Sequence, residues 1–121
     1  MKKILVVEDT EDNRQILRDL LSMAGYEMVE AHDGAEGVQK AGEHRPDLIL
    51  MDIQMPVMDG YEATRRIKSN PELKSIPIVA VTSYALSGDE EKTRAAGCDA
   101  YIAKPYSPRQ MLAKVREILG A

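Results

Sequence analysis

Five short apolar runs punctuate the chain: Ile4–Val7, Tyr26–Ala31, Asp47–Met51, Ile78–Thr82 and Ala100–Ala103. In three of them, ILVV, LILM and IVAV, apolar residues follow one another without alternation. A strand with one wet face alternates polar and apolar residues, so these runs predict central strands of a parallel sheet covered on both faces. Each is too short to stand as a helix. Between the runs the period changes. Ile16, Leu17, Leu20 and Leu21 share one stripe, and Met111, Leu112, Val115, Ile118 and Leu119 share another, as on the buried side of a helix.

Polar residues mark where those helices begin and end. Ser87 with Glu90, and Ser107 with Gln110, have capping-box spacing. Pro108 falls at the first helical position, where its missing N–H costs nothing. Asp33 with Glu36 and Asp59 with Glu62 repeat the pattern with aspartate as the cap. Gly25, Gly97 and Gly120 stand where helices are expected to stop. The pattern is β–α five times over. Parallel strands need right-handed helical crossovers, so the helices divide between the two faces of the sheet. No linker, repeat or low-complexity stretch interrupts it, which predicts one α/β domain over residues 1–121.

Composition narrows the class. A chain of 121 residues buries roughly two-thirds of its unfolded surface and needs no staples. The single cysteine, Cys98, excludes an internal disulfide, suits a reducing compartment and reads as a small buried thiol. Met-Lys-Lys followed by only four apolar residues is too short for a secretory signal or a membrane span, so a soluble cytoplasmic protein is expected. Net charge is −4 with both signs intermixed, and the adjacent Arg65 and Arg66 read as a solvated helix face. This argues against direct nucleic-acid binding.

In an open α/β sheet, ligands bind just beyond the carboxyl ends of the strands. The first run is followed by Glu8 and Asp9, and the third ends at Asp52. The fourth ends at Thr82, and the fifth is followed by Lys104 and Pro105. Alone, each has an ordinary reading as a cap, a strand end or a solvated charge. Together they bring three carboxylates, a hydroxyl and an ammonium to one rim. Three clustered acids repel one another unless a cation joins them. A hard cation that keeps several waters and binds phosphate is the natural occupant, which describes Mg²⁺.

The stretches ILVVEDTEDNR, PDLILMDIQMPVMDGYEATRRIK, IPIVAVTSYA and GCDAYIAKPYS resemble the receiver domain of two-component response regulators across essentially the whole chain. The resemblance is nearest to single-domain receivers and to receiver modules of hybrid kinases. It implies a doubly wound, flavodoxin-like (βα)5 domain with strand order 2-1-3-4-5. It implies Asp52 as the phosphoacceptor, taking the group from a histidine kinase or histidine phosphotransferase. Glu8, Asp9, Asp52 and the backbone carbonyl of Gln54 would hold Mg²⁺, with Glu8, longer than the commoner aspartate, reaching it through water. Lys104 would pair with the phosphoryl oxygens, Thr82 would donate its hydroxyl to them, and Tyr101 would turn inward behind Thr82. The Lys104–Pro105 peptide would be cis. Gln54 and Tyr84 occupy the variable positions that tune phosphoryl lifetime, and small Ser83 leaves access.

Phosphorylation would bias a two-state equilibrium of the face from Ser87 to Leu119, which includes Tyr101, and Tyr106 is a candidate for the same surface. The chain stops at Ala121, just past the last helix. The expectation is therefore a stand-alone regulator, a phosphoacceptor rather than an enzyme, that acts on a downstream regulatory protein and is monomeric before phosphorylation. Three rival readings remain. One is a receiver fold kept only as an interaction module. The second is a phosphohydrolase, which would want an acid where Gln54 stands. The third is a flavodoxin-like cofactor binder, which would want a Gly-rich phosphate loop.

Overall fold

The computed structural model describes residues 1–55, 58–82 and 89–120, with only the backbone at 89 and 90. Ser83, Tyr84 and the Ser87–Glu90 cap lie outside the described side chains. The elements alternate as expected: β1 (Lys3–Val7), α1 (Glu11–Met23), β2 (Glu27–Ala31), α2 (Gly34–His44), β3 (Leu48–Asp52), α3 (Gly60–Lys68), β4 (Ile78–Thr82), α4 (Asp89–Ala96), β5 (Ala100–Ala103) and α5 (Pro108–Leu119). All strand pairs are parallel, in the order β2-β1-β3-β4-β5.

The caps follow the local chemistry. Asp33 and Asp59 accept from the backbone N–H of Glu36 and Glu62, and Ser107 with Gln110 closes a reciprocal capping box ahead of Pro108. Gly120, with φ +75°, ends α5 in the left-handed region that suits glycine. Helix α2 ends differently from the glycine pattern: Arg45, before Pro46, takes that conformation with φ 45°.

Continuous apolar strands fill both sides of the sheet. Leu5, Val7, Ile49, Met51, Ile78 and Ala80 pack with Ala41 of α2 and with Ala63 and Ile67 of α3. Their neighbours Ile4, Val6, Leu48, Leu50, Val79 and Val81 pack on the other side with Leu17 and Leu21 of α1 and with Met111 and Val115 of α5. Successive side chains point to opposite faces, so each strand feeds two cores. Each fully buried aliphatic side chain contributes about 1.5–3 kcal/mol. Slipping β3 by one residue would exchange apolar for apolar along most of its length. The polar strand ends, above all Asp52, therefore carry the register information.

Two side chains depart from the simple pattern. Ile16, counted in the α1 stripe, is 54% exposed and sits at its edge. Cys98 is buried beside Thr64, at 3.7 Å from its hydroxyl oxygen. Burial is the main reason its thiol titrates above the ordinary range. Iodoacetamide at pH 8 is accordingly expected to alkylate Cys98 far more slowly in the folded chain than in urea, and equal rates would contradict this packing.

Candidate functional site

The site is built by strand register. Val7 pairs with Met51, and Asp52 with Val81, so Glu8 leaves β1 level with the last residue of β3. Both acids have the parity of Val6 and Leu50 and turn to the α1–α5 side, where they line a narrow cavity with Leu17 and Tyr106. Asp9, one residue on, is exposed. Ligand oxygens of Glu8, Asp9 and Asp52 all lie within 4.8 Å of one another. Glu8 and Asp52 are only 4% and 3% exposed. Water therefore screens little of their repulsion.

Lys104 answers part of that charge. Its Nζ lies 3.1 Å from Asp52 Oδ1 and 3.7 Å from Glu8 Oε1. The backbone N–H of Lys104 donates to the Thr82 carbonyl at 2.8 Å, and the peptide joining it to Pro105 is cis. Among the described residues one ammonium faces three carboxylates, so this part of the rim remains acidic. Asp9 registers this: a hydrogen bond with the Glu8 carboxyl, then burial, then the Glu8 charge push it above the ordinary aspartate range. Carboxylates crowded in this way are placed where positive charge is wanted. An all-oxygen cluster of this kind fits a hard divalent cation.

Glu8 is also anchored. Its Oε1 accepts from Asn13 Nδ2 at 2.8 Å, and its Oε2 from the Thr10 backbone N–H at 3.4 Å. Gln54 connects two other parts of the site. Its backbone N–H approaches Asp52 Oδ1 at 3.3 Å, while its Nε2 donates to Thr82 Oγ1 at 3.0 Å. Thr82 is completely buried. Tyr101 is half-buried; it pairs with Ala80 in the ladder and so shares the face of the sheet that Thr82 uses two residues later.

The rim thus gathers Glu8, Asp9, Asp52, Gln54, Thr82 and Lys104, with Tyr101 one row below. Tyr106 is the surprise. The sequence left it a candidate for the α4–β5–α5 surface or an exposed tyrosine, and it is half-buried beside the acid cluster. Burial, then the charges of Glu8 and Asp52, raise its phenol above the ordinary range. Asn13 was missed too. Its signal was its place in the first turn of the helix that begins just after Glu8 and Asp9.

Lys104→Met is expected to destabilise the cation-free protein. An exposed ion pair is worth less than about 1 kcal/mol, but a buried one loses about 3–5 kcal/mol when one partner is removed. Lys104 is 24% exposed and Asp52 4%, so the loss should be about 2 kcal/mol. Mg²⁺ should recover much of it, as thermal melts with and without the ion would show.

Residues 4–116 match the family described as the response regulator receiver domain. The chain belongs to that family. This receiver is 46% identical over 119 residues to the polar-differentiation response regulator DivK of Brucella anthropi, covering 98% of this chain and 97% of that one. Identity to DivK of Brucella ovis is 45% with the same coverage. The receiver superposes on the chemotaxis protein CheY4 of Vibrio cholerae with a TM-score of 0.93, at 33% identity over 98% of this chain and 99% of that one. It superposes on the receiver domain of the sensor histidine kinase PA1611 from Pseudomonas aeruginosa with a TM-score of 0.92, at 37% identity over 99% and 98%. That neighbour was solved with a magnesium ion coordinated in its active-site cleft.

Proposed function

We propose that residues 1–121 form one receiver domain that accepts a phosphoryl group on Asp52 from a phosphohistidine of a kinase or histidine phosphotransferase. The observation that carries this is the setting of Asp52: 3% exposed, 3.1 Å from Lys104 and clustered with two further acids. A carboxylate oxygen of Asp52 attacks phosphorus and forms an acyl phosphate. The phosphorus–nitrogen bond to histidine breaks, its electron pair stays on the imidazole, and that nitrogen takes up a proton from solvent. Glu8, Asp9, Asp52 and the Gln54 carbonyl would hold Mg²⁺, which when bound would supply charge neutralisation for the transferring group.

Lys104 pairs with the phosphoryl oxygens as a point charge. Thr82 Oγ1 accepts from Gln54 Nε2 at 3.0 Å, and its hydroxyl donates to the phosphoryl group once that is attached. The acyl phosphate brings roughly −1.5 to −2 charges, by analogy with phosphoserine. Thr82 and Lys104 satisfy its oxygens by moving toward them, and Tyr101, on the face Thr82 occupies, follows inward. Two or three charge-assisted hydrogen bonds supply the several kcal/mol needed to invert a two-state population. The altered surface, α4–β5–α5, is then read by a downstream regulatory protein. The domain is a signalling device rather than a turnover enzyme, and it works in the cytoplasm. No described helix is long and apolar enough to cross a membrane.

Radiolabel carried on a histidine phosphotransferase tests this. It should pass to the chain as a hydroxylamine-labile acyl phosphate and should not pass to Asp52→Asn. Label arriving equally on both would place the acceptor elsewhere.

A further inference from the structure

The turn that bears Glu8 and Asp9 is only three residues long, between Val7 and Glu11. Its ordinary fastening is missing: Thr10 stands at the N-cap of α1 but makes no side-chain cap bond. Mutual repulsion of the rim carboxylates works to push this turn away from Asp52. Something has to hold it. Arg14, one turn into α1, reaches back and donates from Nη1 to the Glu8 carbonyl at 2.6 Å. Its Nη2 donates to Glu11 Oε2 at 2.6 Å, and its Nε lies 3.4 Å from Glu30 Oε1 of β2 as an ion pair. The side chain is only 13% exposed. Arg14 therefore ties the peptide between Glu8 and Asp9 to the sheet while touching neither site carboxylate. Its neighbour Asn13 holds the other end of Glu8, the carboxylate, at 2.8 Å.

We propose that Arg14, assisted by Asn13, is a positioning residue for the cation, fixing the Glu8–Asp9 turn so that both acids face Asp52. The inference rests on the reading of this rim as a Mg²⁺ site. Groups that orient ligands without touching the metal typically cost about 10–100-fold in affinity when removed. A planar fork with two directed hydrogen bonds and an ion pair is suited to this, because a guanidinium resists rotation where an ammonium would pivot.

A purely structural role, tying α1 to β2, is the competing account, and Arg18 separates the two. Arg18 shares Glu30 and Glu11 with Arg14 but not the Glu8 carbonyl. The full chain would be titrated with Mg²⁺ while backbone amide shifts are followed by NMR, with cation-free melts alongside. Arg14→Met should weaken Mg²⁺ about tenfold or more, and Arg14→Lys, keeping the charge and one donor nitrogen, should recover part of it. Arg18→Met should lose stability without weakening Mg²⁺. If Arg14→Met fails to fold, Asn13→Ala decides: it introduces a better helix former and should still weaken Mg²⁺ severalfold. Wild-type affinity in the Arg14 or Asn13 variants would overturn the proposal, as would equal losses in Arg14→Met and Arg18→Met. A wild type that shows no Mg²⁺-dependent shifts would instead sink the metal reading itself, and this inference with it.

Discussion

Asp52→Asn is expected to accept no phosphoryl group while melting a few degrees above the wild type in the absence of divalent cation. The chemical half follows from the nucleophile, since an amide of the same shape offers no anionic oxygen to phosphorus. The stability half follows from charge. Asp52 is buried to 3% exposure with two carboxylates in reach and one ammonium in contact. Two like charges about 4 Å apart repel by about 4 kcal/mol at an effective dielectric near 20. Neutralising Asp52 removes two such repulsions and one buried charge. It forfeits one attraction to Lys104, which keeps Glu8 at 3.7 Å. A net gain of about 1 kcal/mol corresponds to a few degrees in a domain of this size. Asp9 gives the pH sense of the same strain. Its raised pKa means the folded chain binds that proton more tightly than the unfolded chain. Asp9 itself therefore adds stability as pH falls through its titration, and that contribution is lost as pH rises above. Glu11, Glu30 and Glu62 have the opposite sign, because arginine partners lower their pKa values, so the contrast between the wild type and Asp9→Asn isolates Asp9. Melts across that range, with and without Mg²⁺, check the stability half, and intact mass after exposure to a phosphoryl donor checks the chemical half.

Gly60→Ala is expected to cost about 2–3 kcal/mol and to disturb the acceptor in the same stroke. Gly60 opens α3 and donates its backbone N–H to the Ile53 carbonyl at 3.1 Å. An added Cβ would overlap the Asp52 carbonyl oxygen and stand 2.8 Å from the Ile53 Cα. Those are backbone atoms of the proposed acceptor and of the next residue. They cannot swing aside as a side chain would, so the end of β3 or the start of α3 must move. Denaturant melts should show the loss, and the Asp52 and Gln54 amides should shift most in NMR spectra. A change under about 0.5 kcal/mol, ordinary for a surface substitution, would contradict this packing.

That glycine shows how far the sequence could be read. The MDIQMPVMDG stretch was legible as a family signature, but the physical reason for its last residue appears only when β3 and α3 are brought together. The strands were legible because LILM and IVAV are apolar on both faces and terminate at Asp52 and Thr82. Their polar ends, placed on one rim by topology, made the candidate site readable as well. Less was legible where contacts are lateral. Ile16 satisfied the helical period yet sits at the edge of its stripe, beyond what periodicity resolves. Tyr106 was left between a place on the switch surface and an exposed position. Its half-burial beside Glu8 and Asp52 could not be read, because the direction of a side chain just past a strand is not set by strand alternation. The Gln54–Thr82 hydrogen bond and the Arg14 tie to Glu8 join residues whose proximity no spacing rule predicts.

The most direct test of the central claim is the intact mass of the wild type after incubation with acetyl phosphate, with Mg²⁺ or with EDTA, followed by peptide mapping. The predicted result is a single phosphoryl adduct that needs Mg²⁺ and maps to Asp52. An adduct on any other residue would contradict the account, and so would a folded chain that takes up no phosphoryl group from acetyl phosphate or from a phosphohistidine donor.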